Sequence, residues 1–335
     1  MQMMRAAFYE EHGGTDKIRV DEIARPEIAR DEVLIRVKAA SLNGFDPMIL
    51  EGSTDLKTPL PMIPLGDFAG EIHEVGSSVR RWNIGDRVCP FPFIASQGMM
   101  GETRTGAAAE YVAVPAVNLI RMPETVTYEQ AACLPIAYGT ALRMMYDRAN
   151  VKPGDRVLIL GATGGVGVCA LELGKSAGCE IIACGSSDWK LNKLKALGAD
   201  HVIDTSKEDF EEAVHERFGK PSFFGGGGVD VVIIYIGGDT WVKSLRCLTK
   251  NGRLLTCGAT AGFSPEEDIR YIWSFELNVI GSNGWLPPDQ VRLLDMVADG
   301  RLTPQIHAIR PLEETASSLQ QLIDRDVFGK IVITP

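Results

Sequence analysis

The residues best suited to chemistry form one short run, Gly161-Ala-Thr-Gly-Gly-Val-Gly167, between an apolar stretch at 157–160 and an amphipathic stretch at 168–177. The apolar stretch reads as a buried parallel strand. Val168, Ala170, Leu171, Leu173 and Gly174 give the following helix its packing side. Strand, glycine turn and helix in this order make an anion cradle. Glycines let the backbone approach a pyrophosphate, and the helix N-terminus offers free N–H groups at the positive end of its dipole. The turn alone is weak evidence, but a second apolar strand at 180–184 supplies the context of a dinucleotide site. Ala162, Thr163, Gly164, Gly165, Val166 and Gly167 are its expected contacts.

The residues just past the second strand refine the nucleotide. An NAD site places Asp or Glu there, about 20 residues on, to accept from the ribose 2′-OH. Here the strand runs into Cys184-Gly-Ser-Ser-Asp-Trp-Lys190, and the acidic position, counted back from Gly198-Ala199, is Gly185. A 2′-phosphate needs donors and a cation, and an acid would repel it. Ser186, Ser187 and Lys190 meet that need, so NADPH is the expected cofactor. Asp188 complicates the reading, because its carboxylate would face the ribose if the turn shifted by one residue. Ser187 or Asp188 also suits the N-cap of a helix over 189–197, which is compatible with either cofactor.

These residues need a scaffold, and the chain is long enough for one or two domains at 335 residues. Its composition, 45% hydrophobic and 23% charged, is that of a globular protein. A net charge of −10 argues against general nucleic-acid binding. No apolar run approaches a membrane span and no signal-peptide core opens the chain, so a cytoplasmic location and no membrane partner are expected. The seven cysteines lack a C-x-x-C pair, and the five histidines lack metal-ligand spacing. Buried free thiols and no metal site are the expectation.

Up to about residue 126 the pattern is β-rich, with strand-like runs at 4–9, 33–40, 68–75, 87–90 and 108–114. Helical periodicity then covers 127–149, interrupted at Pro135 and Gly139. From Arg156 strands at 157–160, 181–184, 201–203, 229–236, 253–257 and 278–282 alternate with helices. Such alternation demands a parallel sheet with crossovers, and six strands match a complete Rossmann unit. Gly237, Gly258 and Asn283 follow the fourth, fifth and sixth strands, at the carboxyl ends where ligands bind. The Gly225–Gly228 run precedes a strand rather than a helix, which makes it a connector. A last strand at 330–333 is expected to return to the N-terminal region. The fold class is therefore α/β: a Rossmann domain at 127–286 inserted in a discontinuous β-rich domain, 1–126 with 287–335.

Ordered motifs span nearly the whole chain: Ser41-Leu-Asn-Gly-Phe-Asp46, Gly66-Asp-Phe-Ala-Gly70, Gly85-Asp-Arg-Val88, Ala109-Glu-Tyr-Val112, Gly139-Thr-Ala141, the glycine turn, Leu197-Gly-Ala-Asp200 and Gly329-Lys330. Together they resemble the medium-chain dehydrogenase/reductase family, and within it the zinc-independent quinone oxidoreductase (zeta-crystallin-like) branch. The resemblance implies that the β-rich domain is the GroES-like catalytic domain. Zinc-dependent relatives place a cysteine where this chain has Asn43, a histidine where it has Gly66, and a third cysteine near Ile136. The region matching the structural-zinc lobe, 90–106, holds no cysteine. The resemblance therefore implies that both metals are absent.

Without a Lewis acid to hold an alkoxide, and with no Tyr–Lys or His relay evident, hydride addition to a conjugated acceptor is the accessible reaction. Its charge spreads onto a hydroquinone or enolate, which hydrogen-bond donors can stabilise. A quinone is the expected substrate. An ene-reductase acting on the C=C of α,β-unsaturated carbonyls, an NADPH-binding protein without turnover and a zinc-free alcohol dehydrogenase are the competing readings. Asn43, Asp46 and Thr140 are the candidate catalytic residues, and by family position Asn43 falls near the nicotinamide. Asn43 either donates to the acceptor carbonyl or bonds the next turn. Asp46 is an orienting carboxylate rather than an acid, Thr140 touches the nicotinamide or caps a helix, and Asp67 pairs with a neighbouring base. Phe45, Met48, Tyr138 and Trp285 are candidates for a substrate wall, with ordinary core as the alternative. The family also implies a homodimer, formed by pairing of the sixth strand across a two-fold axis.

Overall fold

The structure is a computed structural model that describes residues 2–95 and 97–335. Two units divide the chain: Met1–Ala137 with Leu286–Pro335, and Tyr138–Trp285.

The first unit is β-rich. An antiparallel pair, β1 (Met3–Phe8) and β2 (Arg19–Ala24), opens it. The central strand is β3 (Glu32–Ser41), with β4 (Asp67–Val75) and, after the short β5 (Arg87–Val88), β6 (Phe93–Ile94) and β7 (Gly98–Met99), β8 (Tyr111–Pro115). Both β4 and β8 pair antiparallel with β3, and β5 pairs with β4. Val33, Leu34 and Ile35 of β3 are all buried, so both faces of this strand are covered. Three strands lie outside the strand pattern read from sequence. On the largely exposed β2 only Val20 and Ile23 are half-buried, with Asp21 and Glu22 between them, and β6 with β7 makes a two-residue ladder inside a glycine-rich loop.

The second unit carries β9 (Arg156–Ile159), β10 (Glu180–Gly185), β11 (His201–Asp204), β12 (Val229–Ile234), β13 (Leu248–Thr256) and β14 (Asn278–Gly281). All pair in parallel, in the order β11-β10-β9-β12-β13-β14. This is the Rossmann order, and it reverses between β9 and β12, where such sheets bind ligands. Gly225–Gly228, all with φ between +65° and +91°, lead into β12 beside the fully exposed Phe224. The chain then returns to the first unit. There β15 (Ile306–Pro311) lies parallel to β16 (Lys330–Thr334), and β16 pairs antiparallel with β3.

The units part inside a helical run that includes Tyr128–Ala132, Leu134–Tyr138 and Gly139–Leu142. The periodicity changes at residue 127, eleven residues before the second unit begins, because local pattern and tertiary allegiance differ. Ser41 Oγ donates to the Ala132 carbonyl at 2.8 Å, and the Ile136 N–H donates to Asp67 Oδ1 at 3.0 Å. Those bonds tie the first turns to the β-rich unit. Among the described residues no helix is long and apolar enough to cross a membrane.

Candidate functional site

In the second unit the helix Gly165–Ser176 starts at Gly164, and no side chain caps it. Its first N–H groups therefore have no intrahelical acceptor, and that of Gly167 faces the Tyr235 phenol. Two glycines are sterically required. Gly161 has φ +72° and lies against the Tyr235 phenol. A Cβ on Gly167 would stand 2.4 Å from the Gly161 carbonyl oxygen and 2.6 Å from Ala162 Cα. Tyr235, just beyond β12 at the switch point, donates its hydroxyl to the Gly161 carbonyl. That phenol escaped the sequence reading, because nothing local distinguishes an aromatic one residue past a buried strand.

The end of β10 stands beside this turn. A Cβ on Gly185 would sit 3.4 Å from Thr163 Cγ2 and 3.1 Å from Leu191, so a carboxylate there would be cramped. The following helix is Asp188–Ala196, with Ser187 at its N-cap. Ser187 Oγ makes no capping bond; it is buried without a partner among the described residues. Ser186 is exposed, and the Lys190 side chain is buried, its ammonium 5.3 Å from the centre of the Trp189 ring. Asp188, the ambiguous acid, pairs with Lys207 at 2.8 Å, and Lys207 also holds Asp204 at 2.7 Å. Gly237, Gly258 and Asn283 follow β12, β13 and β14 at the same edge of the sheet. Gly237 (φ +73°) is packed against the Gly262 carbonyl, whereas Gly258 meets only ordinary contacts and Asn283 is exposed.

Thr140 lies in the short helix Gly139–Leu142 and is 8% exposed. Trp285 packs flat on its neighbour Gly139, where a Cβ would come within 2.4 Å of the indole. Tyr138 is fully buried, so it presents no wall to a substrate in this structure, and its carbonyl accepts from the Cys169 thiol of the helix Gly165–Ser176 at 3.9 Å.

The first unit holds a separate polar centre. Asn43 follows β3, and its Nδ2 donates to Asp67 Oδ2 at 2.9 Å. Lys330 of β16 donates through Nζ to Asn43 Oδ1 at 2.6 Å and lies 3.4 Å from Asp67 Oδ2. The exposures are 4% for Asn43, 0% for Asp67 and 2% for Lys330. Asp46, at the start of the helix Asp46–Glu51, accepts the Asn43 backbone N–H on Oδ2 at 2.7 Å, while its Oδ1 is buried and unpartnered among the described residues. The Asp46 carboxylate thus folds its own loop into a turn. Burial pushes its pKa up to about 7; the Asn43 N–H and Lys330 oppose the rise, and Asp67 and Glu102 add to it. Asp67 is also raised, by burial against the pull of Lys330 and its hydrogen bonds. Phe45 and Met48 flank Asp46, both half-buried. Nearby Cys89 and Cys133 have thiols pushed upward by burial, which favours the protonated form. Lys330 is the base expected beside Asp67, which the sequence alone did not identify.

The family profile described as alcohol dehydrogenase GroES-like domain matches residues 29–124, and the one described as zinc-binding dehydrogenase matches 165–299. A zinc-type alcohol dehydrogenase-like protein of Schizosaccharomyces pombe is 34% identical over 98% of this chain and 99% of its own length. The crystal structure of an NAD-dependent alcohol dehydrogenase superposes with a TM-score of 0.91 at 31% identity, covering 99% of this chain and all of that one. The quinone oxidoreductase from Coxiella burnetii superposes at 0.84 with 30% identity over the whole of both chains. The zinc named in one profile does not fit the residues present. Both ends of the Asn43 amide are bonded to Lys330 and Asp67. A Cβ at Gly66 would stand 2.3 Å from the Met100 carbonyl oxygen, so that position has no room for a ligating side chain. Among the described residues no group of three or more His, Cys, Asp or Glu could hold a metal ion. Matched along its full length by such relatives, with a β-rich unit split around a Rossmann sheet, the chain belongs to the medium-chain dehydrogenase/reductase superfamily of NAD(P)-dependent oxidoreductases.

Proposed function

We propose that this chain is an NADPH-dependent, zinc-independent oxidoreductase that passes hydride to a quinone. The observation that carries the reading is the Asn43–Asp67–Lys330 network, in which Asn43, at a position where zinc relatives carry a cysteine, is engaged by a buried carboxylate and a buried ammonium. A metal-free centre of this kind has no Lewis acid for an alkoxide. It offers donors, which suffice for the delocalised charge of a reduced quinone. NADPH would lie with its pyrophosphate on residues 162–167 and its 2′-phosphate toward Ser186, Ser187 and Lys190. The unpartnered Ser187 hydroxyl, the engagement of Asp188 by Lys207 and the absence of a carboxylate at Gly185 support the phosphate over a bare ribose. When bound, the cofactor supplies the hydride; the chain binds it, orients it and steadies the charge on the acceptor. We also propose a homodimer. β14 is the outer strand of its sheet, and Ile269, Trp273 and Val279 are exposed on or near it.

The test is NADPH oxidation against a panel of simple quinones and a panel of α,β-unsaturated ketones and aldehydes, with products identified and NADH run in parallel. Quinone turnover, faster with NADPH, is the expected result. Turnover confined to enones with saturated products makes the chain an ene-reductase. Silence on both panels with NADPH bound removes the proposed activity, and equal or tighter NADH binding removes the cofactor assignment.

A further inference from the structure

Asparagine side chains ordinarily tolerate a flip, because the two ends of the amide are nearly the same shape. The Asn43 amide does not have that freedom. On one side stands an ammonium, which can only donate; on the other stands a carboxylate, which can accept. With Oδ1 at 2.6 Å from Lys330 Nζ and Nδ2 at 2.9 Å from Asp67 Oδ2, both contacts are satisfied. The flipped amide would set N–H against ammonium and C=O against carboxylate, two repulsions in a centre closed to water. The two partners are themselves held. Asp67 Oδ1 accepts the Ile136 N–H at 3.0 Å. Lys330 is fixed by its place on β16, its N–H bonded to the Gln305 carbonyl at 2.8 Å, and by Gly329 (φ +80°), where a Cβ would meet that carbonyl oxygen at 2.1 Å. Asp67 takes one of the two Nδ2 hydrogens, and the other has no acceptor among the described residues.

We propose that Lys330 is a positioning residue acting through Asn43: it locks the amide in one flip, so that the second Nδ2 hydrogen is the donor presented to the developing oxyanion of the acceptor. Lys330 then does by orientation what a metal does by charge. The inference rests on the proposed reductase activity for its kinetic arm and is independent of it for its spectroscopic arm.

The experiment is a double-mutant cycle between Lys330→Met and Asn43→Ala, with Lys330→Arg as the conservative variant. Two readouts are taken: kcat for quinone reduction, and hydrogen exchange of the 15N-labelled Asn43 side-chain amide. Removing one such donor costs on the order of 100-fold in kcat. Each single variant is expected to lose about that much, and the double variant no more than the worse single one, because both remove the same hydrogen bond. Lys330→Arg, still a pure donor, keeps most of the rate. Exchange protection of the Nδ2 hydrogen bonded to Asp67 is expected in the unmodified chain and in Lys330→Arg, and is reduced in Lys330→Met, where one of the two repulsions against the flip is gone. Losses that multiply in the double variant, or undiminished protection in folded Lys330→Met, overturn the proposal. If Lys330→Met alone does not fold, the neutral pair Lys330→Met/Asp67→Asn replaces it. That pair accepts either flip of Asn43, so reduced protection is again expected and undiminished protection overturns the proposal. A chain that binds NADPH yet reduces nothing refutes the proposed activity, and the exchange measurement alone then decides the role of Lys330.

Discussion

At the turn over 161–167 the groups proposed to meet a ligand are backbone N–H donors, and Gly161 and Gly167 lack side chains where a Cβ would crowd Tyr235, the Gly161 carbonyl and Ala162. In the centre around Asn43 the offered group is a side chain, held by two other side chains that are nearly inaccessible to water. One site is made by subtraction and the other by mutual constraint. The turn should tolerate removal of atoms and suffer from additions. The centre should suffer from removal, since each member leaves a buried partner unsatisfied.

The largest effect that sharpens this contrast concerns Asp46. Its folded-state pKa, about 7, lies above the ordinary carboxylate range. The stability tied to its proton is fully present below about pH 4 and is lost as pH rises through about 7. Replacing it by Asn removes that loss, so Asp46→Asn should gain on the unmodified chain by as much as about 4 kcal/mol between pH 4 and pH 8. Denaturant unfolding at several pH values measures it. Parallel pH profiles for the two chains would show that Asp46 titrates normally and that this centre is less constrained than described.

Next comes an addition to the turn. Gly167→Ala places a methyl against the Gly161 carbonyl and Ala162. Overpacking of this kind costs about 1–3 kcal/mol, which corresponds to roughly 5- to 150-fold weaker NADPH binding in a fluorescence titration. An unchanged affinity would mean that the turn yields to the methyl. The smallest effect is a removal beside the same turn. Tyr235→Phe deletes the hydroxyl that donates to Gly161, a hydrogen bond worth about 1 kcal/mol. A modest drop in melting temperature with NADPH affinity within about threefold is expected. A collapse of binding would make the turn depend on a side chain after all and erase the contrast.

The same difference explains what could be read from the sequence. A backbone-built site leaves a local signature, since positive φ and close approach require glycine at particular positions, and flanking strand and helix reveal themselves by period. The six-stranded sheet, its carboxyl-edge positions and the return of the last strand to the β-rich unit followed from that signature. The centre of mutual constraint leaves none: Asn43 and Lys330 meet across 287 positions, and Lys330 looks like any lysine after a glycine. Asp67 could be expected to have a basic partner without the partner being identifiable. Tyr138, read as a substrate wall, is core, because an aromatic residue beside a helix break carries no mark of which way it faces. The strands β2, β6 and β7 were invisible for a simpler reason: they bury too little to impose a pattern.

The pairing of β16 with β3 also sets an order of events during synthesis. The second unit is one continuous segment, 138–285, and can complete its sheet as soon as that segment has left the ribosome. The first unit cannot. β3 must wait for β16, made after the whole inserted unit, before its sheet is finished. Lys330 arrives with that same strand. A newly made chain therefore completes its Rossmann sheet well before it acquires an oriented Asn43, and a nascent chain that has emerged from the ribosome only as far as a residue between 290 and 325 would display a folded second unit attached to an unfinished first one.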